Sequence, residues 1–176
     1  MKIGFCGTMS VGKTTLVNEL RKFKEFDEYK ICTERSKHLM NLGIPLNTDS
    51  TLNGQTIFLA ERATELMYDK MITDRTVIDV MAFARVAKTI AFYQSDAFEE
   101  LASQFVREYD YIFYISPEGV DIEDNGVRET DAEYRELIDF TIKNYLTRYK
   151  HRIMRYRELE GPLEKRIETI RETLFS

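Results

Sequence analysis

The sequence predicts an α/β protein of three layers, helices on both faces of a parallel sheet of about five strands. Three observations carry that reading. An apolar run at 3–6, Ile-Gly-Phe-Cys, enters the glycine-rich stretch GTMSVGKTT at 7–15, which opens directly into helix-spaced Leu16, Val17, Leu20 and Phe23. Strand-length apolar runs then alternate with helical patterns, as right-handed β-α-β crossovers require. The run Tyr-Ile-Phe-Tyr-Ile at 111–115 is apolar throughout, as a strand covered on both faces should be.

Taken in order, the first strand ends near Cys6 and the first helix covers 13–24. A charged turn at 24–28 leads to a second strand over 29–33, with Glu34-Arg35 at its end. Ligands of open α/β sheets gather beyond the carboxyl ends of strands, so a carboxylate falls beside the glycine loop. A short helix stops near Gly43-Ile44-Pro45, and 46–50 is a loop. The longer helix expected over 51–71 carries Ile57, Ala60, Ala63, Leu66 and Met67 inward and leaves Gln55, Arg62 and Glu65 on other faces. Met71-Ile72 reads as the end of a third strand with Asp74-Arg75 at its tip, and helical patterns follow over 80–93 and 96–108. After the strand at 111–115, a polar segment precedes a helix bearing Arg135, with Tyr134, Ile138, Thr141 and Tyr145 in register. A weaker strand at 152–154 leads past Gly161-Pro162 to a helix striped by Leu163, Ile167, Ile170 and Leu174.

The 176 residues are expected to form one domain over 1–176, with 43% hydrophobic and 31% charged residues, an ordinary globular composition. No apolar stretch reaches the roughly 20 residues that span a bilayer, and the apolar start runs straight into a loop that must be retained, so no signal peptide is expected. Cys6 and Cys32 fall in expected buried strands without metal-ligand spacing, which points to reduced thiols and a cytoplasmic protein. A net charge of −5 leaves no overall basic footprint and puts nucleic acid behind small molecules as a partner. The sequence is silent on oligomeric state.

The stretch at 7–15 is a phosphate-binding loop in its required context of strand, glycine loop and helix. Gly7 and Gly12 let the amides of Ser10, Val11, Gly12, Lys13, Thr14 and Thr15 converge on a polyphosphate at the head of a helix. Lys13 reaches the terminal phosphates, and the Thr14 hydroxyl suits Mg²⁺. The stretch thus predicts Mg²⁺ with ATP as phosphoryl donor. A GTPase would carry an N/T-K-x-D segment, and a motor would carry an Asp-Glu strand end with a further helical domain; the sequence has neither. A small phosphotransferase remains.

Thr33-Glu34-Arg35, Asp74-Arg75 and Gly126-Val127-Arg128 with Arg135 resemble the corresponding segments of the P-loop nucleoside and nucleotide kinase superfamily. The nearest likeness is to the ribosylnicotinamide-kinase-like AAA domains of NadR-type proteins and to related small kinases encoded by phages. The resemblance implies a P-loop NTPase fold with a helical lid at about 118–136. It implies an acceptor that is a nucleoside or nucleoside monophosphate, with Glu34 as general base and Asp74 joining Thr14 at the metal. Arg128 and Arg135 would close over the transferring phosphoryl group. Glu34, Arg35, Gln55, Arg62 and Arg75 would contact the acceptor. From the residues alone, structural roles stay open: a helix-terminal charge for Glu34, a turn for Asp74, ion pairs or solvated charges for the arginines. Two other functions stay open as well, a kinase acting on a hydroxymethylated pyrimidine in DNA and a nucleotide-dependent ATPase switch. His38, His151 and the tyrosines at 109, 111, 114, 145 and 149 read as structural.

Overall fold

A computed structural model describes residues 1–33, 35–118 and 131–175. Its strands are β1 (Lys2–Cys6), β2 (Lys30–Cys32), β3 (Met71–Thr73), β4 (Tyr111–Ile115) and β5 (Tyr156–Leu159). They pair in parallel in the order β2-β3-β1-β4-β5. β1 is therefore central, and the chain crosses from one side of it to the other after β3. That reversal opens a crevice at the strand tips, where the glycine loop lies.

Pleating sends alternate side chains to opposite helical layers. Ile3, Phe5, Phe113 and Ile115 meet Leu16, Val17 and Leu20 of α1 (Lys13–Leu20) and Ile170 of α7 (Leu163–Phe175). Cys6, Ile112 and Tyr114 face the other layer, which contains α3 (Leu52–Glu65), α4 (Val77–Val86), α5 (Phe92–Ala102) and α6 (Ala132–Arg148). A shorter α2 (Ser36–Asn41) adds Leu39 to this second core. Gly4 brings α4 unusually close to β1, since a Cβ there would lie 2.5 Å from Thr76 Cγ2 and 2.9 Å from the Tyr109 ring.

Three expectations need correction. On α3 the buried face is Gly54, Gln55, Phe58, Leu59 and Arg62, whereas Ile57 is exposed and Met67, beyond the helix, is 83% exposed. Apolar counting failed because Arg62 is buried against Glu65, its guanidinium 2.6 Å from the carboxylate, so a charged residue occupies the inward face. The last strand lies at Tyr156–Leu159, not 152–154. β5 is an edge strand with only Leu159 buried, so it lacks the apolar run of an inner strand, while 150–152 tighten the end of α6 into a 3₁₀ turn. Helix α4 begins at Val77, three residues earlier than expected, because Thr76 and Asp79 form a capping box. Both cysteines are free and buried, and burial raises each thiol above its ordinary pKa, Cys32 to about 11. No helix among the described residues is long and apolar enough to cross a membrane.

One buried carboxylate joins three of the packed helices. Glu99 of α5 is 6% exposed. It accepts from Arg85 of α4 at 2.7 Å and from Tyr145, Arg148 and Tyr149 at 3.0, 2.6 and 2.6 Å at the end of α6. Burial alone would raise its pKa, but these donors outweigh that and hold the carboxyl down at about 2. A group depressed below its ordinary value of 4.5 contributes stability that is complete above that value and is lost as pH falls through about 2. Glu99→Gln should cost about 1.5–3 kcal/mol at pH 7 in urea unfolding, the scale of a hydrogen bond to a charged group. The gap from wild type should close as pH drops from 4.5 towards 2. A gap that stays constant over that window would show that the Glu99 charge does not hold these helices.

Candidate functional site

The loop between β1 and α1 is held by groups from four helices. Asp79 Oδ1, on α4, accepts from the Gly7 amide at 3.1 Å, while its Oδ2 accepts from the Thr76 amide and hydroxyl, each at 2.8 Å. Lys13 of α1 folds back so that its ammonium donates to the carbonyls of Gly7 and Thr8, the latter at 2.6 Å. Arg135, in the first turn of α6, donates through Nε to the Met9 carbonyl at 3.2 Å, and its own carbonyl accepts from the Thr8 hydroxyl at 2.9 Å. Arg166 of α7 donates to the Val11 carbonyl at 2.7 Å. Gly12 caps α1 with φ 83° and no side-chain hydrogen bond, so the helix presents its first amides and the positive end of its dipole uncapped by any side chain. Burial lowers the Lys13 pKa, and the charges of Asp79 and Asp74 partly restore it.

Asp74 lies at the tip of β3 beside the loop. Its Oδ2 accepts from the Thr14 hydroxyl at 2.6 Å, joining a carboxylate and a hydroxyl at one point of the crevice. Hard cations such as Mg²⁺ take such oxygens, and these two residues fit one. Ser10 is buried with φ 58°, and Thr15 is exposed.

A second group of predicted residues lies past β2 and β3. Arg75 stacks on two rings, with Cζ 5.6 Å from the Phe58 centroid and 4.8 Å from that of Phe83. The Phe83 ring in turn meets Tyr134 of α6 at 6.5 Å. Arg62 is wholly buried, paired with Glu65 and 3.7 Å from Glu61, and Glu61 also pairs with the exposed Arg35 at 3.6 Å. Glu65 accepts in addition from Thr73 at 2.9 Å, next to Asp74. Gln55 is buried on the same side. Lys13, Thr14, Asp74 and Arg135 therefore converge on the loop, while Arg35, Gln55, Arg62 and Arg75 line the α2–α4 side. Glu34 and Arg128 lie outside the described residues.

Asp79 and Arg166 were missed by the sequence reading. The Thr76-x-x-Asp79 spacing of a capping box was visible in the sequence. Arg166 leaves a fainter trace, sitting three residues after Leu163 and four before Ile170, on the apolar stripe of α7.

Residues 2–166 match a family model described as an AAA domain. No curated protein matches the chain. Among solved structures, deoxyadenosine kinase from M. mycoides with bound dCTP is 18% identical, with a TM-score of 0.67 over 99% of this chain and 98% of that one. NadR in complex with NAD and AMP-PNP is 14% identical with a TM-score of 0.72, and NadR in complex with NR is 15% identical with a TM-score of 0.73. Each NadR match covers 97% of this chain, and the chain spans about half of NadR, 48% and 50%. The fold is that of P-loop nucleoside and nucleotide kinases.

Gly7 has φ 149°, and a Cβ there would lie 2.7 Å from the Ile115 carbonyl oxygen at the tip of β4. Gly7→Ala should lower stability by about 1–3 kcal/mol in thermal or urea unfolding, through backbone strain and displacement of the loop from β4. A variant as stable as wild type would show that the loop yields at this point.

Proposed function

The chain belongs to the AAA domain family whose model it matches over residues 2–166, and from that premise we propose that it is a Mg-ATP-dependent kinase of nucleosides. The observation that carries this reading is the 2.6 Å contact between Thr14 and Asp74 beside the Lys13 loop, a phosphate cradle and a hard-cation pair at one point. Mg²⁺, held by Thr14 and Asp74, would offset the charge of the donor phosphates. The loop amides and Lys13 hold the triphosphate. Arg135, fixed to the loop by two hydrogen bonds, and Arg128 meet the charge that develops on the transferring group. Glu34 takes the proton of the attacking hydroxyl as the new O–P bond forms in line, the γ-phosphorus bond to the β-phosphate oxygen breaks, and ADP leaves.

Charge on the acceptor side favours a nucleoside over a monophosphate. Arg35 and Arg62 pair with Glu61 and Glu65, and Arg75 is packed on two rings, so the arginines there already have partners. A second phosphate would have to displace those carboxylates, whereas a neutral base and sugar need only ring contacts and polar groups such as the Gln55 amide. The solved relatives support this reading through their descriptions: a deoxyadenosine kinase, named for a nucleoside, and NadR in complex with NR.

The test is ATP consumption with Mg²⁺ against nucleosides, nicotinamide riboside, nucleoside monophosphates and hydroxymethylated DNA. One nucleoside should stimulate turnover strongly and its monophosphate should not. Stimulation by modified DNA alone would overturn the small-molecule reading, and slow ATP loss indifferent to every acceptor would make the protein a switch. Lys13→Ala and Asp74→Asn should each lower kcat by at least about a hundredfold with unfolding unchanged, as for loss of one preorganised electrostatic contact. Full activity in Lys13→Ala would refute the loop as the donor site.

A further inference from the structure

Two arginine side chains are buried among the described residues, and they are treated very differently. Arg62 faces two carboxylates, Glu65 at 2.6 Å and Glu61 at 3.7 Å. Arg166 is 6% exposed and pairs with no carboxylate among the described residues. Its Nη1 donates to the Val11 carbonyl at 2.7 Å, and its buried Nε has no hydrogen-bond partner among them. Burial lowers its pKa, and no neighbouring charge offsets that. A buried charge without a counter-charge is expensive, so a fold keeps one where an anion arrives to balance it.

The contact also decides which way a peptide points. No cis bond is present among the described residues, so the Val11–Gly12 peptide is trans, and its C=O and N–H point in opposite directions. Tying the Val11 oxygen to α7 therefore turns the Gly12 N–H away from Arg166. The guanidinium Nη1 lies 3.8 Å from where a Gly12 Cβ would be. Arg166 is carried in the first turn of α7, its own amide bonded to the Pro162 carbonyl at 3.1 Å. That turn follows the edge strand β5, so the outer end of the sheet sets the shape of the loop.

We propose that Arg166 is a positioning residue for the donor triphosphate, fixing the Val11–Gly12 peptide with its N–H towards the phosphates and supplying, from behind the loop, a positive charge that the polyphosphate balances. The proposal rests on the donor-site reading above. It separates Arg166 from a simple strut, which needs a donor but no charge: Arg166→Met removes charge and donor, Arg166→Lys keeps both, and Arg166→Gln keeps a donor without the charge.

The experiment is calorimetric titration of wild type and the three variants with Mg-ATP, tripolyphosphate and adenosine, beside melting of the free proteins. Arg166→Met should bind ATP and tripolyphosphate at least about tenfold more weakly, the scale of one lost charge-assisted interaction. Its adenosine affinity should be unchanged and its Tm no lower than wild type, because it also removes an unbalanced buried charge. Arg166→Lys should recover most of the phosphate affinity and Arg166→Gln should recover little of it. Triphosphate affinity equal to wild type in Arg166→Met, or a loss that Arg166→Lys shares in full, overturns the proposal and leaves the kinase reading standing. A wild-type protein that binds neither ATP nor tripolyphosphate overturns both.

Discussion

A loop gathers several backbone amides around one anion only when its carbonyls are satisfied from outside. Here the carbonyls of Gly7 and Thr8 accept from Lys13, that of Met9 from Arg135, that of Val11 from Arg166, and that of Gly12 from the Leu16 amide. The Gly7 amide, at the entrance to the loop, is held by Asp79. These partners come from α1, α4, α6 and α7, which lie on both faces of the sheet. The shape of a short irregular segment is thus fixed by the whole three-layer arrangement, and a shift of any of those helices reaches the loop through one or two hydrogen bonds.

Helix α6 shows how distant packing bears on the site. Its first turn carries Arg135 against the loop, its middle is tied to β4 by the 2.7 Å bond from the Tyr114 hydroxyl to Asp139, and its end is gathered with Tyr149 around Glu99. Glu99 in turn binds Arg85 of α4, whose capping box contains the Asp79 that holds Gly7. Two of the contacts on the loop therefore share one buried ionic network for their alignment. Such networks are weak sources of net stability but strong constraints on geometry, because breaking one member leaves a buried charge unmatched.

The parts of this structure legible in sequence are those governed by local rules. The glycine loop is set by neighbouring residues, and the strand at 111–115 by its apolar run, so both were found in place. Asp74 was placed with Thr14 by resemblance to kinase segments, and the two side chains do meet, 2.6 Å apart. What could not be read depends on partners distant in sequence. Arg62 faces inward because Glu65 and Glu61 neutralise it, against every expectation from hydrophobicity, and β5 is hidden because an edge strand need not be apolar. Arg166 lies 155 residues from the carbonyl it binds, and no local pattern encodes that contact.

The two sides of the crevice differ in how their cations are balanced, and that difference bears on substrate order in the site. Near the loop, Lys13 and Arg166 bond to backbone carbonyls and take part in no ion pair among the described residues. A carbonyl carries only a partial charge, so the positive potential there stays available to an incoming polyanion. On the α2–α4 side, Arg35 and Arg62 are matched by Glu61 and Glu65, which removes most of that potential. In the proposed kinase a triphosphate would be drawn to the loop and would gain little by entering the other side, while an uncharged molecule would meet no such bias. The carboxylates at Glu61 and Glu65 would thus keep the donor from the acceptor's place, a form of selection by withheld attraction as much as by fit.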